Sequence, residues 1–213
     1  MTDPFYNQPV DCNDKKQLRQ FFRRLAHSRS ADDALTTGMS LFSRLAISNL
    51  FQEARNIMAY CPIYGELAIE PCLKIWHDEG KRIFLPRVAG NDIQPVEVLN
   101  TPGSSLNDSL QPSEPYGILE PIGDPVDPTV LDLIIVPALA FDRRGFRLGR
   151  GGGFYDRFLP QATAAKSVVV GYDDQLFPAL PNDPWDRPCD FFLTPHYSNI
   201  EMLQTLINEN TND

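Results

Sequence analysis

At 213 residues the chain is 42% hydrophobic and 22% charged, a globular composition that can bury a real core and excludes a disordered or fibrous chain. Its 28 acidic against 19 basic residues give a formal net charge of −9, which argues against a nucleic-acid partner and makes any anion site local, built from a few arginines and backbone amides. The longest apolar stretch, Leu133 to Phe141, is nine residues and contains Pro137, against the roughly 20 that a membrane-crossing helix needs.

The chain opens with "MTDPFYNQPV", which has neither a basic start nor an apolar run and does not read as a signal peptide. Residues 1–13 are expected to form a loose leader, and 14–213 a single catalytic α/β domain. From Asp14 the pattern is helical: Leu18, Phe21, Phe22 and Leu25 fall at i, i+3, i+4 and i+7, with Lys15, Lys16, Arg19, Arg23 and Arg24 on the remaining surface. A second helix is predicted over about 31–54, with Leu35, Met39, Phe42, Leu45 and Ala46 on its buried stripe. "NIMAYCP" reads as a buried strand. "EPCLKIWHDEG" reads as a helix with Pro71 in its first turn and Gly80 as its stop. "KRIFLP" is the next strand, ended by Pro86.

The stretch 95–128 carries seven of the nineteen prolines and little periodicity apart from "PVEVLN". It is expected to be a long, proline-stiffened excursion, of the sort that is often functional. "LDLIIVPALAF" follows as a near-continuous apolar run, the pattern of a central strand buried on both faces. A glycine-rich loop and a helix over about 153–159 come next, then strands at "SVVVGYD" and "DFFLT". A final helix is predicted behind a Ser198–Glu201 capping box, ahead of Leu203, Leu206 and Ile207. Strands alternating with helices predict an α/β layer structure with a mostly parallel central sheet flanked by helices. Cys12, Cys61, Cys72 and Cys189 are scattered without a C-x-x-C pair, so neither a zinc framework nor a disulfide scaffold is expected. Reduced thiols in the cytoplasm are the plain reading.

Five of the thirteen glycines lie in "GFRLGRGGGFYDRF", residues 145–158. Glycines let a ligand approach the main chain, successive amides can converge on one anion, and guanidinium groups match phosphate bidentately. Arg147 and Arg150 suit such a fork, and Asp156 is placed to help hold the Mg²⁺ that accompanies a nucleotide. A Walker loop would need G-K-[ST], and a dinucleotide fingerprint starting at Gly149 would need a glycine where Phe154 stands. The loop therefore reads as a phosphate cradle of a less common kind.

At "VPALAFDRRGFRLGRGGGFYDRFL" the sequence resembles the 5-formyltetrahydrofolate cyclo-ligase (5,10-methenyltetrahydrofolate synthetase) family, with weaker support from Lys15 and Arg19, "AYCPIYGEL", "FLPRV", "YGILEP" and "LPNDPWD". The resemblance implies a layer architecture of the NagB/RpiA/CoA transferase-like type. It also implies ATP-driven ring closure of 5-formyltetrahydrofolate, with Mg²⁺, through a phosphorylated formyl oxygen. Lys15, Arg19, Arg147, Gly149, Arg150, Gly151, Gly152, Gly153, Phe154, Tyr155 and Asp156 would form the ATP site, with Arg150 and Tyr155 catalytic. Cys61, Glu66, Tyr116, Arg150 and Phe154 would face the folate, and Asp156 and Asp183 the metal. Some relatives carry a lysine at the Gly152 position and a tyrosine at the Phe154 position, which shifts phosphate contact here onto Arg147 and Arg150. The expected partners are small molecules, with no nucleic acid and no membrane, and the expected state is a monomer. Two other readings stay open: a dinucleotide-dependent or nucleotide-sugar enzyme with a degenerate glycine loop, and a non-catalytic binder of reduced folate or nucleotide on the same fold.

Overall fold

The structure is a computed structural model that describes residues 10–99, 105–113 and 118–201. Asp14 caps the first helix, α1 (Lys15–His27), accepting the amides of Lys16 at 2.7 Å and Gln17 at 3.3 Å. Leu18, Phe21 and Phe22 are buried on the side their spacing predicts. The helix expected over 31–54 is two, α2 (Ala31–Ala46) and α3 (Asn49–Glu53). Ser48 separates them: its backbone is extended and its hydroxyl accepts the Phe51 amide at 3.2 Å. The buried face of α2 also differs from the expected stripe. Ala34, Gly38, Leu41, Phe42 and Leu45 face inward, whereas Leu35 is 44% exposed. Gly38 explains this, because a Cβ there would lie 2.3 Å from the Ala68 carbonyl. The small residues let α2 settle directly on that segment, where the Ala68 amide donates to the Ala34 carbonyl at 3.1 Å.

The remaining elements in chain order are β1 (Asn56–Met58), α4 (Glu70–Asp78), β2 (Arg82–Ala89), β3 (Asp92–Val98), β4 (Leu110–Ser113), β5 (Ile118–Pro121), β6 (Leu133–Pro137), β7 (Ala140–Asp142), β8 (Arg147–Leu148), α5 (Phe154–Phe158), β9 (Lys166–Val170), β10 (Leu176–Phe177) and β11 (Phe191–Leu193). Among the described residues the main sheet has the order β11–β9–β6–β1–β2–β3, all parallel except the β2–β3 hairpin. This is the mostly parallel α/β sheet expected. Ile57, Leu133, Ile135 and Val168 pack with Phe42, Phe51 and Trp76 in one cluster, and Met58, Ile134, Val136 and Phe158 in another. Both faces are thus covered, as a parallel sheet requires.

Two strand expectations change. β2 runs through Pro86 to Ala89, because Pro95 stands opposite Pro86 in the antiparallel register. Neither residue has an N–H, so they occupy a non-hydrogen-bonded pair, which needs none. The run 131–141 is not one strand: the chain leaves the main sheet after Pro137 and enters a small sheet of order β10–β7–β8. The carbonyls at the break, Ala138 and Leu139, accept from the buried Gln175 amide at 3.0 and 3.1 Å, which satisfies backbone that the main sheet no longer pairs. Part of the proline-rich excursion is a two-stranded ribbon, β4 with β5, and α5 is five residues long, shorter than predicted. Ser198 and Glu201 are described, but the apolar residues of the last predicted helix lie outside the described residues.

From β1 the chain builds toward β2 and β3 on one side; β6, β9 and β11 extend the other way. The crevice between the carboxyl ends of β1 and β6 is the topological switch point, where open α/β sheets bind ligands.

Candidate active site

The glycine loop projects over this switch point from the β7–β8 hairpin, and Asp142, Arg147, Arg19 and Arg23 set its shape. Asp142, fully buried, accepts the Arg144 amide at 2.9 Å, the Arg144 guanidinium at 2.7 and 3.0 Å and the Leu180 amide at 3.0 Å, which fixes the hairpin turn. Arg147, with a side chain only 4% exposed, reaches Asp156 at 2.8 Å and so closes the neck of the loop from β8 to α5; it also donates to the Arg187 carbonyl. On the other side, Arg19 and Arg23, one turn apart on α1, donate to the Gly149 carbonyl at 3.0 Å and the Arg150 carbonyl at 2.7 Å. In a trans peptide the following N–H points opposite to the carbonyl. The amides of Arg150 and Gly151 are therefore turned away from α1. Gly151 and Gly153 have φ of +113° and +66°, a bend that side chains with a Cβ resist.

The loop is a wall between two cavities. One, of about 270 Å³, lies at the switch point and takes its floor from Tyr60 and Cys61 after β1, Pro137 at the end of β6 and Leu139 beyond it; Glu66, Arg150, Phe154 and Tyr155 also line it. The other, of about 510 Å³, lies between the loop and α1, and is lined by five basic and three acidic side chains, among them Lys15, Arg19, Asp156 and Asp183. Arg147, Gly149, Gly152, Gly153 and Asp156 border both.

In the first cavity, burial pushes the Glu66 carboxyl above its ordinary range, opposed by Arg150 at 3.4 Å and by the Ile63 amide at 3.2 Å. Burial also drives the Tyr155 phenol far up, with the Glu66 charge adding to it, so Tyr155 is a neutral hydroxyl at any physiological pH. The Cys61 thiol is pushed up to about 12, again by burial, which makes it a packing group rather than a nucleophile. Arg150 Nε is buried with no hydrogen-bond partner among the described residues, an orphan donor of the kind a bound acceptor resolves. In the second cavity Lys15 Nζ lies 2.5 Å from both Asp183 and Asp186. Desolvation pulls its pKa down, but the two carboxylates outweigh that and hold it above the ordinary value.

The residues singled out from sequence gather here, with one division. Arg147 and Arg150 do not form a single fork: Arg147 is spent on Asp156 and the loop neck, while Arg150 turns into the smaller cavity toward Glu66. Gly151 borders only the larger cavity, and Cys61 and Phe154 only the smaller. Tyr116 lies outside the described residues. For a cation, Asp156 Oδ1 accepts both Arg147 and the Arg187 amide, and Asp183 Oδ2 accepts Lys15, which leaves the second oxygen of each. Among the described residues no three His, Cys, Asp or Glu side chains converge. Such a donor set fits Mg²⁺, which commonly takes one or two carboxylates and completes its shell with phosphate and water. Sequence reasoning missed Asp142, Arg23 and Asp186. The Arg19–Arg23 spacing of one helical turn was the available signal for Arg23; Asp142 and Asp186 each have a local partner, Arg144 and Asp183, but the contacts that tie them to the rest of the site, with Leu180 and Lys15, are distant in sequence.

The 5-formyltetrahydrofolate cyclo-ligase family model matches residues 11–195. A 5-formyltetrahydrofolate cyclo-ligase of Mycolicibacterium smegmatis is 36% identical over 185 residues, covering 85% of this chain and 93% of that protein. The Escherichia coli protein of the same name is 36% identical over 67% of this chain and 79% of its own length. The Aquifex aeolicus 5,10-methenyltetrahydrofolate synthetase structure superposes with a TM-score of 0.74 at 32% identity, covering 93% of this chain and 99% of that one. The chain belongs to the 5-formyltetrahydrofolate cyclo-ligase family and is an enzyme of that kind. Among the described residues no helix is long and apolar enough to cross a membrane.

Proposed function

We propose that this chain converts 5-formyltetrahydrofolate and ATP into 5,10-methenyltetrahydrofolate, ADP and phosphate, with Mg²⁺ and through a phosphorylated formyl oxygen. The observation that carries this reading is the single glycine loop bordering both a charged cavity and an apolar one. A nucleotide whose phosphates lie against the loop from the charged side presents its terminal phosphoryl group to a formyl oxygen on the other.

The chemistry suits such a site. A formamide carbon is a poor electrophile, and its oxygen a poor leaving group. Transfer of the terminal phosphoryl group to that oxygen, with release of ADP, corrects both. The folate nitrogen at position 10 then attacks the formyl carbon and gives up its proton to the phosphate group or to water, the carbon–oxygen bond breaks with its electron pair on the departing phosphate, and the ring closes. No protein nucleophile is needed; positioning and charge stabilisation do the work. Lys15, Arg19 and the amides of Gly152 and Gly153 would hold the phosphates, Gly149 and Gly151 would let them approach the main chain closely, and Arg147 would keep the loop in shape. Arg150, whose Nε has no acceptor among the described residues, would meet the charge that develops at the formyl oxygen, with the neutral Tyr155 hydroxyl as a second donor. Glu66 would accept the pterin's N–H groups, and Cys61, Phe154 and Tyr116 would contact its rings. Asp156 and Asp183 would hold Mg²⁺, which supplies neutralisation of phosphate charge when bound.

Mixing purified protein with 5-formyltetrahydrofolate, ATP and Mg²⁺ tests this through the ultraviolet band of the methenyl product. A band that grows only when ATP is present supports ring closure. No band, with both ligands still bound, makes the chain a binder.

A further inference from the structure

Trp185 is the most exposed large hydrophobic side chain among the described residues, at 68%, and it borders the charged cavity. An indole left in water forgoes a large burial term, and nothing in the ring-closing chemistry above uses it. Its backbone is nevertheless tightly held. Asp183 to Asp186 form a β-turn: the Asp186 amide donates to the Asp183 carbonyl at 3.0 Å, and the Asp183 amide donates back to the Asp186 carboxylate at 2.8 Å. Pro184 occupies the second position, whose φ it presets, and Trp185 the third. Lys15 then grips both flanking carboxylates at 2.5 Å, which fastens the turn to α1. The result is a rigid aromatic face at the rim of a cavity whose other bordering side chains are mostly charged.

We propose that Trp185 is the stacking surface for the base of the nucleotide. This deepens the ring-closure reading and rests on it for the identity of the ligand. The cations beside the loop take the phosphates, and the ribose spans the distance to the turn. Because Lys15 touches the turn and faces the phosphate region, ordering of the base and of the phosphates is coupled through one side chain. Stacking is tolerant of base identity but grows with ring area, so purine nucleotides outbind pyrimidine ones, and GTP comes close to ATP.

The chain has two tryptophans, and Trp76 is buried against Phe42 and Phe51, so ligand-sensitive emission reports on Trp185. In the wild type, ATP is expected to quench fluorescence more strongly than inorganic tripolyphosphate does. Trp185→Ala is expected to raise KM for ATP by about tenfold, the loss of one base–aromatic stack, and to move KM for 5-formyltetrahydrofolate much less; Trp185→Phe recovers most of the loss. Wild-type turnover with an unchanged KM for ATP in Trp185→Ala overturns the stacking role and leaves ring closure standing. ATP quenching without methenyl product supports the stacking role and overturns ring closure. No ATP binding by the wild type overturns both.

Discussion

The cavity beside Glu66 and the cavity beside Lys15 share Arg147, Gly149 and Asp156, yet they treat charge in opposite ways. Glu66 is a largely buried carboxylate whose one cation contact among the described residues, with Arg150, is long at 3.4 Å, and burial raises its pKa. Lys15 is an ammonium gripped by two carboxylates at 2.5 Å, which raise its pKa against desolvation. The first charge is under-satisfied and gains when N–H donors arrive. The second is over-satisfied, and on the proposed reading it would share itself with phosphate and release carboxylate oxygens for Mg²⁺. A ligand with several donors suits one side; a polyanion with its cation suits the other. The loop between them is the place where the two ligands can meet.

Substitutions break this comparison in graded ways. Arg150→Ala has the largest expected effect: kcat falls by about a thousandfold, the scale of losing a donor to developing charge, while circular dichroism stays near wild type and Tm drops only modestly, because Glu66 loses its cation contact but can take up a proton. Normal turnover in that variant would remove Arg150 from the transfer step. Lys15→Ala is expected to raise KM for ATP about thirtyfold, in the range for a charge-assisted hydrogen bond, and to leave KM for the folate within a few-fold. It should also lower Tm at neutral pH. The Lys15 ion pairs stabilise fully below its ordinary pKa of 10.5 and are lost as pH climbs through the higher folded value, so the Tm gap between variant and wild type closes in that alkaline window.

Gly149→Ala sharpens the comparison at the shared wall. Its backbone is not in the left-handed region, and a Cβ would meet nothing within 4 Å. The variant should therefore keep its Tm yet lose about tenfold in kcat/KM if ligands press on that backbone, because a methyl group then stands in the approach path. Unchanged kinetics would move the ligands off Gly149. The smallest effect is expected from Glu66→Gln: KM for 5-formyltetrahydrofolate rises about fivefold, the scale of one weakened hydrogen bond to a charged acceptor, with KM for ATP unmoved. Its pH signature has a definite sign. Glu66 has a folded pKa above its ordinary 4.5, so its relative contribution to stability is greatest below that value and falls as pH rises through the folded one. Thermal melts from pH 4 upward should show the Gln variant gaining on wild type. A gap that is flat with pH would deny that Glu66 is buried as a charge.

Much of the fold and site was legible in residue order because the responsible physics is local. Leu18, Phe21 and Phe22 declared the buried face of α1, and the apolar runs declared the parallel sheet. The density of glycine between 145 and 153 marked the loop that borders both cavities. Where the reading went astray, a distant partner decided. Gly38 meeting Ala68 turned α2 by a residue, Pro95 opposite Pro86 let β2 continue, and Gln175 took over the carbonyls at Ala138 and Leu139 where one expected strand became two.

Sequence by itself determined the α/β class, since spacing, chirality and residue chemistry act within a few positions along the chain, and it carried the family resemblance, which is what assigned Lys15, Arg19, Glu66 and Asp183 to the loop's surroundings. Only the tertiary structure decided that Arg147 closes the loop while Arg150 faces Glu66, that Arg19 and Arg23 pull two loop carbonyls toward α1, and that Lys15 holds the turn carrying Trp185. Those are choices among competing partners for the same guanidinium, ammonium or carbonyl, and they are settled by which charges the packed core brings within hydrogen-bond reach.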